Sequence, residues 1–198
     1  MARDLRDALA LAPCLVAADG GADRALALGV RPVAVIGDMD SITAATRASL
    51  DDVFHEVAEQ DSTDFDKALR HVEAPFVLVL GCLGGRVDHE LAALAVLVRR
   101  HSVRCLLIGR EDVIFAAPQA LDIAMQAGDR FSLFPLAQVT GQSEGLKWPI
   151  AGLAFAPNGR GGTSNEATGP VRLRMDGPGM LVMVPRARLG VALRAVLA

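Results

Sequence analysis

The spacing of the apolar residues changes part-way along the chain, and that change restricts the fold more than any other feature. Up to about residue 112, short apolar runs alternate with amphipathic stretches. Cys14–Ala18, Val33–Ile36, Phe76–Leu80 and Val103–Ile108 are predicted strands. Asp23–Leu28 (closed by Gly29), Thr43–Leu50, Asp64–Val72 and Glu90–Arg100 are predicted helices. Strands alternating with helices at this spacing imply a mostly parallel sheet with helices on its faces. After Pro118, Gly and Pro become frequent and the helical period fades. Arg130–Leu133, Gln138–Gly141, Val171–Met175 and Met180–Val184 then read as short strands, the pattern of a small antiparallel sandwich. The expected class is α/β: an N-terminal mostly parallel sheet with flanking helices, followed by a smaller C-terminal antiparallel β-sandwich. The junction is expected within 112–120, giving domains over 1–115 and 116–198. Arg186–Ala198 reads as a terminal helix.

The chain of 198 residues is 52% hydrophobic and 22% charged, enough for a sizeable core in one large domain or two small ones. A net charge of −3 and a pI near 5.8 argue against a nucleic-acid backbone as partner. Cys14, Cys82 and Cys105 form no CxxC pair, and an odd count is poor material for a disulfide framework. Cys82 and Cys105 lie in apolar runs and read as buried thiols rather than nucleophiles. These features point to a reducing, cytoplasmic setting. No apolar run approaches the ~18 residues of a membrane span. Ala8–Ala18 contains Pro13 and follows Asp4, Arg6 and Asp7, unlike a signal peptide with its basic start and longer apolar core. With no Tyr present, any stacking surface must come from Trp148 or a Phe.

Four clusters carry candidate chemistry. Asp19-Gly20-Gly21-Ala22-Asp23 follows the first strand, where paired glycines admit a ligand to the backbone and the next helix start favours anions; a plain tight turn fits equally well. In Gly37-Asp38-Met39-Asp40-Ser41, residues two apart in extended chain project to one side, so Asp38 and Asp40 can converge. Two close carboxylates repel unless a cation or proton separates them, and hard oxygen ligands suit Mg²⁺ better than zinc. Capping of the next helix would explain one of these carboxylates, not both. In Gln60–Lys67, Thr63 and Asp66 resemble a capping box, which leaves Asp61 and Asp64 at the helix start available to a metal. Gly81-Cys82-Leu83-Gly84-Gly85-Arg86-Val87-Asp88-His89 is a glycine-rich strand-to-helix loop, a phosphate cradle to which Arg86 adds a charged fork. Its spacing is not that of a Walker A loop. Asp88 is open to three roles: metal ligand, base, or helix N-cap. Further on, Gly161–Glu166 reads as a polar turn whose Ser164 and Asn165 can hydrogen-bond a small polar ligand.

In this order, DGGADR (19–24), GDMDS (37–41), QDSTDFDKAL (60–69), GCLGGRVDH (81–89), GLKWPI (145–150) and GTSNEATG (162–169) resemble the thiamine pyrophosphokinase family over nearly the whole chain. The resemblance implies an ATP-binding catalytic domain over 1–115 and a thiamine-binding β-sandwich over 116–198. It also implies a homodimer holding thiamine between the N-domain of one subunit and the C-domain of the other. Carried over residue by residue, Asp38, Asp40 and Asp64 would hold Mg²⁺ with Asp88 close by, these four being the catalytic carboxylates. Gly84, Gly85 and Arg86 would cradle the triphosphate with Asp19 near the substrate, and Gln60, Ser164 and Asn165 would line the thiamine site. The family's first strand and glycine loop have no counterpart before the first helix. Asp23 and Ala93 stand where Asn is common, and the helical tail is an addition. Rival readings are a pyrophosphokinase for another hydroxymethyl substrate such as a pterin, and a nucleotide-binding regulator without turnover.

Overall fold

Leu5, Ala8 and the partly buried Leu9 form one stripe of the first helix, α1 (Ala2–Leu9), while Arg3, Arg6 and Asp7 face outward. The computed structural model describes residues 2–198 and divides into two compact units, one ending at Ala74 and the other spanning Pro75–Ala198. In the first unit, β1 (Val16–Ala18) leads through α2 (Gly21–Ala27) to β2 (Ala34–Gly37), which pairs parallel with β1. The chain then passes through α3 (Ala44–Ser49) to β3 (Phe54–Glu56), parallel to β2, and on to α4 (Asp64–His71). Thr43 and Thr63 cap α3 and α4, each hydroxyl accepting from the amide three residues on. Ala17, Ala22, Val35, Met39 and Leu50 form the buried core of this sheet, and α4 packs on β1 and β2.

The second unit opens with β4 (Val77–Leu80), α5 (Val87–Arg99) and β5 (Cys105–Ile108). It continues through β6 (Asp112–Ala116), β7 (Ala120–Ile123), β8 (Arg130–Pro135), β9 (Gly141–Leu146), β10 (Thr163–Met175) and β11 (Met180–Pro185). A 3₁₀ turn at Arg186–Arg188 leads into α6 (Leu189–Leu197). The sheet runs β4-β5-β6-β11-β8-β10-β7, with β9 also paired to β10. The long β10 serves two groups of partners: Thr163–Glu166 pair with β8, and Val171–Arg174 pair with β7. Its register against β9 shifts between Ala167 and Arg172, an irregularity that holds Pro170 where no ladder amide is needed. Alternate residues of β8 and β10 point inward, and Phe115, Leu121, Phe131, Phe155, Val171 and Val182 share one core.

The α/β class is as expected, but several details differ. β4 and β5 pair parallel with each other and then join the larger sheet through antiparallel β5–β6 pairs such as Leu106 with Phe115. The compact units therefore divide between residues 74 and 75, not near 115, because backbone hydrogen bonds run unbroken across the change in sequence texture. Of Gly161–Glu166, read as a turn, residues 163–166 belong to β10. Gln138–Gly141 is not a strand: Val139 makes a lone bridge to Phe155, and β9 begins at Gly141. The short strands β3, β6 and β7 were not apparent in the sequence. No helix among the described residues is long and apolar enough to cross a membrane.

Candidate functional site

Parallel pairing sets the carboxyl ends of β1 and β2 side by side, and each strand is followed at once by an aspartate. Asp19 (φ 40°) and Met39 (φ 65°) adopt left-handed backbone, turning both chains sharply at the sheet edge. At Gly37 a side chain is excluded: a Cβ would lie 2.9 Å from the Asp19 Cβ and 3.1 Å from Asp64 Oδ1. The glycine lets these acidic groups close over the strand end. One carboxylate oxygen from each of Asp19, Asp38 and Asp40 lies within 4.8 Å of the others. Asp19 is only 3% exposed; its Oδ2 accepts from the Ser41 amide at 3.2 Å, while its buried Oδ1 has no hydrogen-bond partner. An all-oxygen donor set with one buried oxygen unpaired is what a hard divalent cation would complete.

The neighbours hold this set in place. Asp38 accepts from the Asp40 amide at 3.3 Å, from Gln60 Nε2 at 2.9 Å and from Lys67 Nζ at 3.3 Å. Ser41 Oγ donates to Asp40 at 2.8 Å. Lys67 also reaches Asp64 Oδ1 at 3.1 Å, with its side chain 1% exposed. Burial holds the Asp19 carboxyl above the usual carboxylate range, outweighing the hydrogen bonds from Ser41. Asp38 is shifted the other way, chiefly by the Gln60 hydrogen bond and then by the Asp40 amide and Lys67. Burial works against the Lys67 charge, but hydrogen bonds to Asp64 and Asp38 prevail and raise its pKa. Before α4, Glu59 accepts from the Asp61 amide at 2.8 Å, the Ser62 amide at 3.1 Å, the Ser62 hydroxyl and Arg70. The Ser62 contact, followed by Arg70, brings its pKa down to about 2.

Asp38 and Asp40 converge as expected, but Asp19 completes their triad, and Asp64 joins through the Lys67 ammonium. Gln60 touches Asp38 directly. Asp23 ties α2 to α3, accepting from the Thr43 amide at 3.2 Å and from the hydroxyls of Thr43 and Thr46. Lys67 and Glu59 were missed. The i,i+3 spacing of Asp64 and Lys67 was the available signal for the first, but nothing local shows that this lysine is buried.

In the second unit, the glycine loop opens α5 with Arg86 at the N-cap, so Asp88 lies inside the first turn rather than at the cap. Arg86 donates to Asp88 Oδ1 at 3.1 Å and to Oδ2, and this pairing lowers the Asp88 pKa. The Gly84 and Gly85 amides both donate to Glu90. Ser164 and Asn165 sit on β10. Asn165 is buried: its Oδ1 accepts from the amides of Trp148 (3.2 Å) and Glu166 (2.9 Å), and its Nδ2 donates to the Trp148 carbonyl at 2.7 Å. It therefore fixes the Trp148 backbone rather than offering free polar atoms. The Trp148 ring is 55% exposed, with Lys147 Nζ 5.0 Å from its centroid. Cys105 is buried as expected and Cys82 is partly buried, and desolvation pushes their thiols up to about 12 and about 11, which disfavours the thiolate.

A parallel sheet gathering carboxylates at its strand ends, in a chain that also presents a strand–glycine-loop–helix, defines an α/β protein suited to an anionic ligand accompanied by a cation. The family model for "Thiamin pyrophosphokinase, catalytic domain" matches residues 5–107, just over half of the chain. Thiamine pyrophosphokinase 1 of Arabidopsis thaliana is 31% identical, the match covering 75% of this chain and 68% of that protein. Thiamine pyrophosphokinase 1 of Oryza sativa subsp. japonica is 27% identical over 76% of this chain and 70% of its own length. The crystal structure of thiamin pyrophosphokinase from Geobacillus thermodenitrificans superposes with a TM-score of 0.69 at 25% identity, covering 87% of this chain and 85% of that one. The chain belongs to the thiamin pyrophosphokinase family.

Proposed function

We propose that the chain is a Mg²⁺-dependent thiamine diphosphokinase, transferring the diphosphate group of ATP to the hydroxyl of thiamine and releasing AMP. The observation that carries this reading, within a chain of this family, is the convergence of Asp19, Asp38 and Asp40, one buried oxygen of Asp19 having no hydrogen-bond partner. Asp38 and Asp40 are the ligands proposed for Mg²⁺, with Asp19 and Asp64 beside them. When bound, the ion would offset the negative charge that repels an incoming nucleophile from the polyphosphate. Lys67 donates to both Asp38 and Asp64 and holds the two carboxylates aligned. Gly84, Gly85 and Arg86 are proposed to meet phosphate oxygens, and Asp64 or Asp88 to accept the hydroxyl proton of thiamine. Gln60 and Ser164 are assigned to the thiamine side, and Asn165 acts there through Trp148. The thiazolium cation of thiamine suits a carboxylate-rich surface. A homodimer and a cytoplasmic location complete the proposal.

Incubation with ATP, Mg²⁺ and thiamine should yield AMP and thiamine diphosphate in equal amounts by chromatography. ADP as the sole nucleotide product would mean simple phosphorylation and would overturn the diphosphate transfer. A hydroxymethyl pterin in place of thiamine should give no product. Asp38→Ala should abolish AMP release while leaving thiamine binding largely intact; unchanged turnover would remove Asp38 from the metal site.

A further inference from the structure

Two carboxylates in the first turn of α5 already occupy the donors assigned to phosphate. Gly84 has φ 84°, a left-handed conformation that glycine adopts without strain. Its amide and that of Gly85 donate to the same atom, Glu90 Oε1, at 2.7 and 2.8 Å. No atom lies within 4 Å of a Cβ built on either glycine, so the loop backbone is open to a ligand. Beside it, the Arg86 fork closes on both oxygens of Asp88. Two adjacent amides converging on one anionic oxygen is how a backbone nest holds a phosphoryl oxygen. Glu90 sits four residues beyond the N-cap, within reach of the loop, and its oxygen stands where a phosphate oxygen would.

We propose that Glu90 is a built-in phosphate mimic that competes with the polyphosphate for the Gly84 and Gly85 amides, and so sets how tightly this loop takes its substrate. The inference rests on the reading of the loop as a phosphate cradle. An incoming phosphate oxygen must displace the carboxylate, giving up two charge-assisted hydrogen bonds to gain two, and the displaced charge stays close by. A bare polyphosphate is therefore disfavoured beyond what its contacts alone would give.

The test is calorimetric titration of inorganic tripolyphosphate, without divalent cation and at neutral pH, into the wild-type chain and the variants E90Q, E90A and R86A. Arg86→Ala should weaken binding. E90Q, which keeps the shape and an acceptor but loses the charge, and E90A, which frees both amides, should each bind on the order of tenfold more tightly. Circular dichroism would establish that the variants are folded, and the near-isosteric E90Q keeps the test available if E90A is not. If R86A weakens binding but the Glu90 variants bind no more tightly than wild type, Glu90 merely orders the loop and the proposal is overturned while the cradle stands. If R86A binds as well as wild type, the cradle reading fails, and the mimic with it.

Discussion

Lys67 shows how much of this site depends on one side chain. A buried ammonium between Asp38 and Asp64 holds together two carboxylates that would otherwise repel. Lys67→Met removes the counter-charge and leaves both acids facing each other, so urea denaturation should show a loss of about 3 kcal/mol. A midpoint equal to wild type would mean that the lysine is dispensable to the site. Gly37→Ala tests the same point sterically. Its Cβ must push against Asp19 and Asp64, so diphosphate transfer should fall by on the order of a hundredfold, as expected when reacting groups move by about 1 Å. In the second unit, Asn165→Ala should strand three backbone groups, the amides of Trp148 and Glu166 and the Trp148 carbonyl, at a cost of about 2 kcal/mol. Because Trp148 is the sole tryptophan, its emission maximum should shift in the variant. Acidic residues were legible as candidates because two aspartates in alternation after a strand have few structural uses. The partners that hold them were not, since Lys67 meets Asp38 across 29 positions of sequence.

Helix α4 is the element on which the first unit turns. Thr63 caps it, as the Thr63–Asp66 spacing suggested, with the Asp66 amide donating to its hydroxyl at 3.3 Å. The approach to the cap is held by Glu59, whose folded pKa of about 2 lies below its ordinary 4.5. A depressed carboxyl stabilises the fold fully above its unfolded pKa and loses that contribution as pH falls towards its folded one. Wild-type stability should therefore decline between pH 4.5 and about 2, and Glu59→Gln should flatten that part of the acid limb without altering its form above pH 6. An unchanged acid limb in the variant would dismiss this account of the loop. Strands longer than three residues and flanked by turns were mostly visible in the sequence. β3, β6 and β7 were not, having too few residues to show a clear period, and only the Val171–Met175 part of β10 was read as strand because Gly169 and Pro170 interrupt its alternation.

At the scale of the whole molecule, the larger unit rests on a shared apolar core, and Phe155 lies wholly inside it although its segment is not a regular strand. Phe155→Ala should cost about 3–5 kcal/mol, read as a lowered thermal unfolding midpoint. A shift within error would place the load-carrying core elsewhere. The change of apolar period after Pro118 marked where parallel α/β texture gives way to antiparallel strands, and composition and pattern determine that much because each follows from local chain geometry. They also determined which acids and glycines stand at strand and helix ends. Only tertiary structure decided that β4 and β5 join the larger sheet through β6, that Asp19 completes the triad with Asp38 and Asp40, and that Glu90 takes up the glycine-loop amides. Those outcomes turn on which strand edges pair and which side chains share a buried volume. Such choices are made between residues distant in sequence, and no local period encodes them.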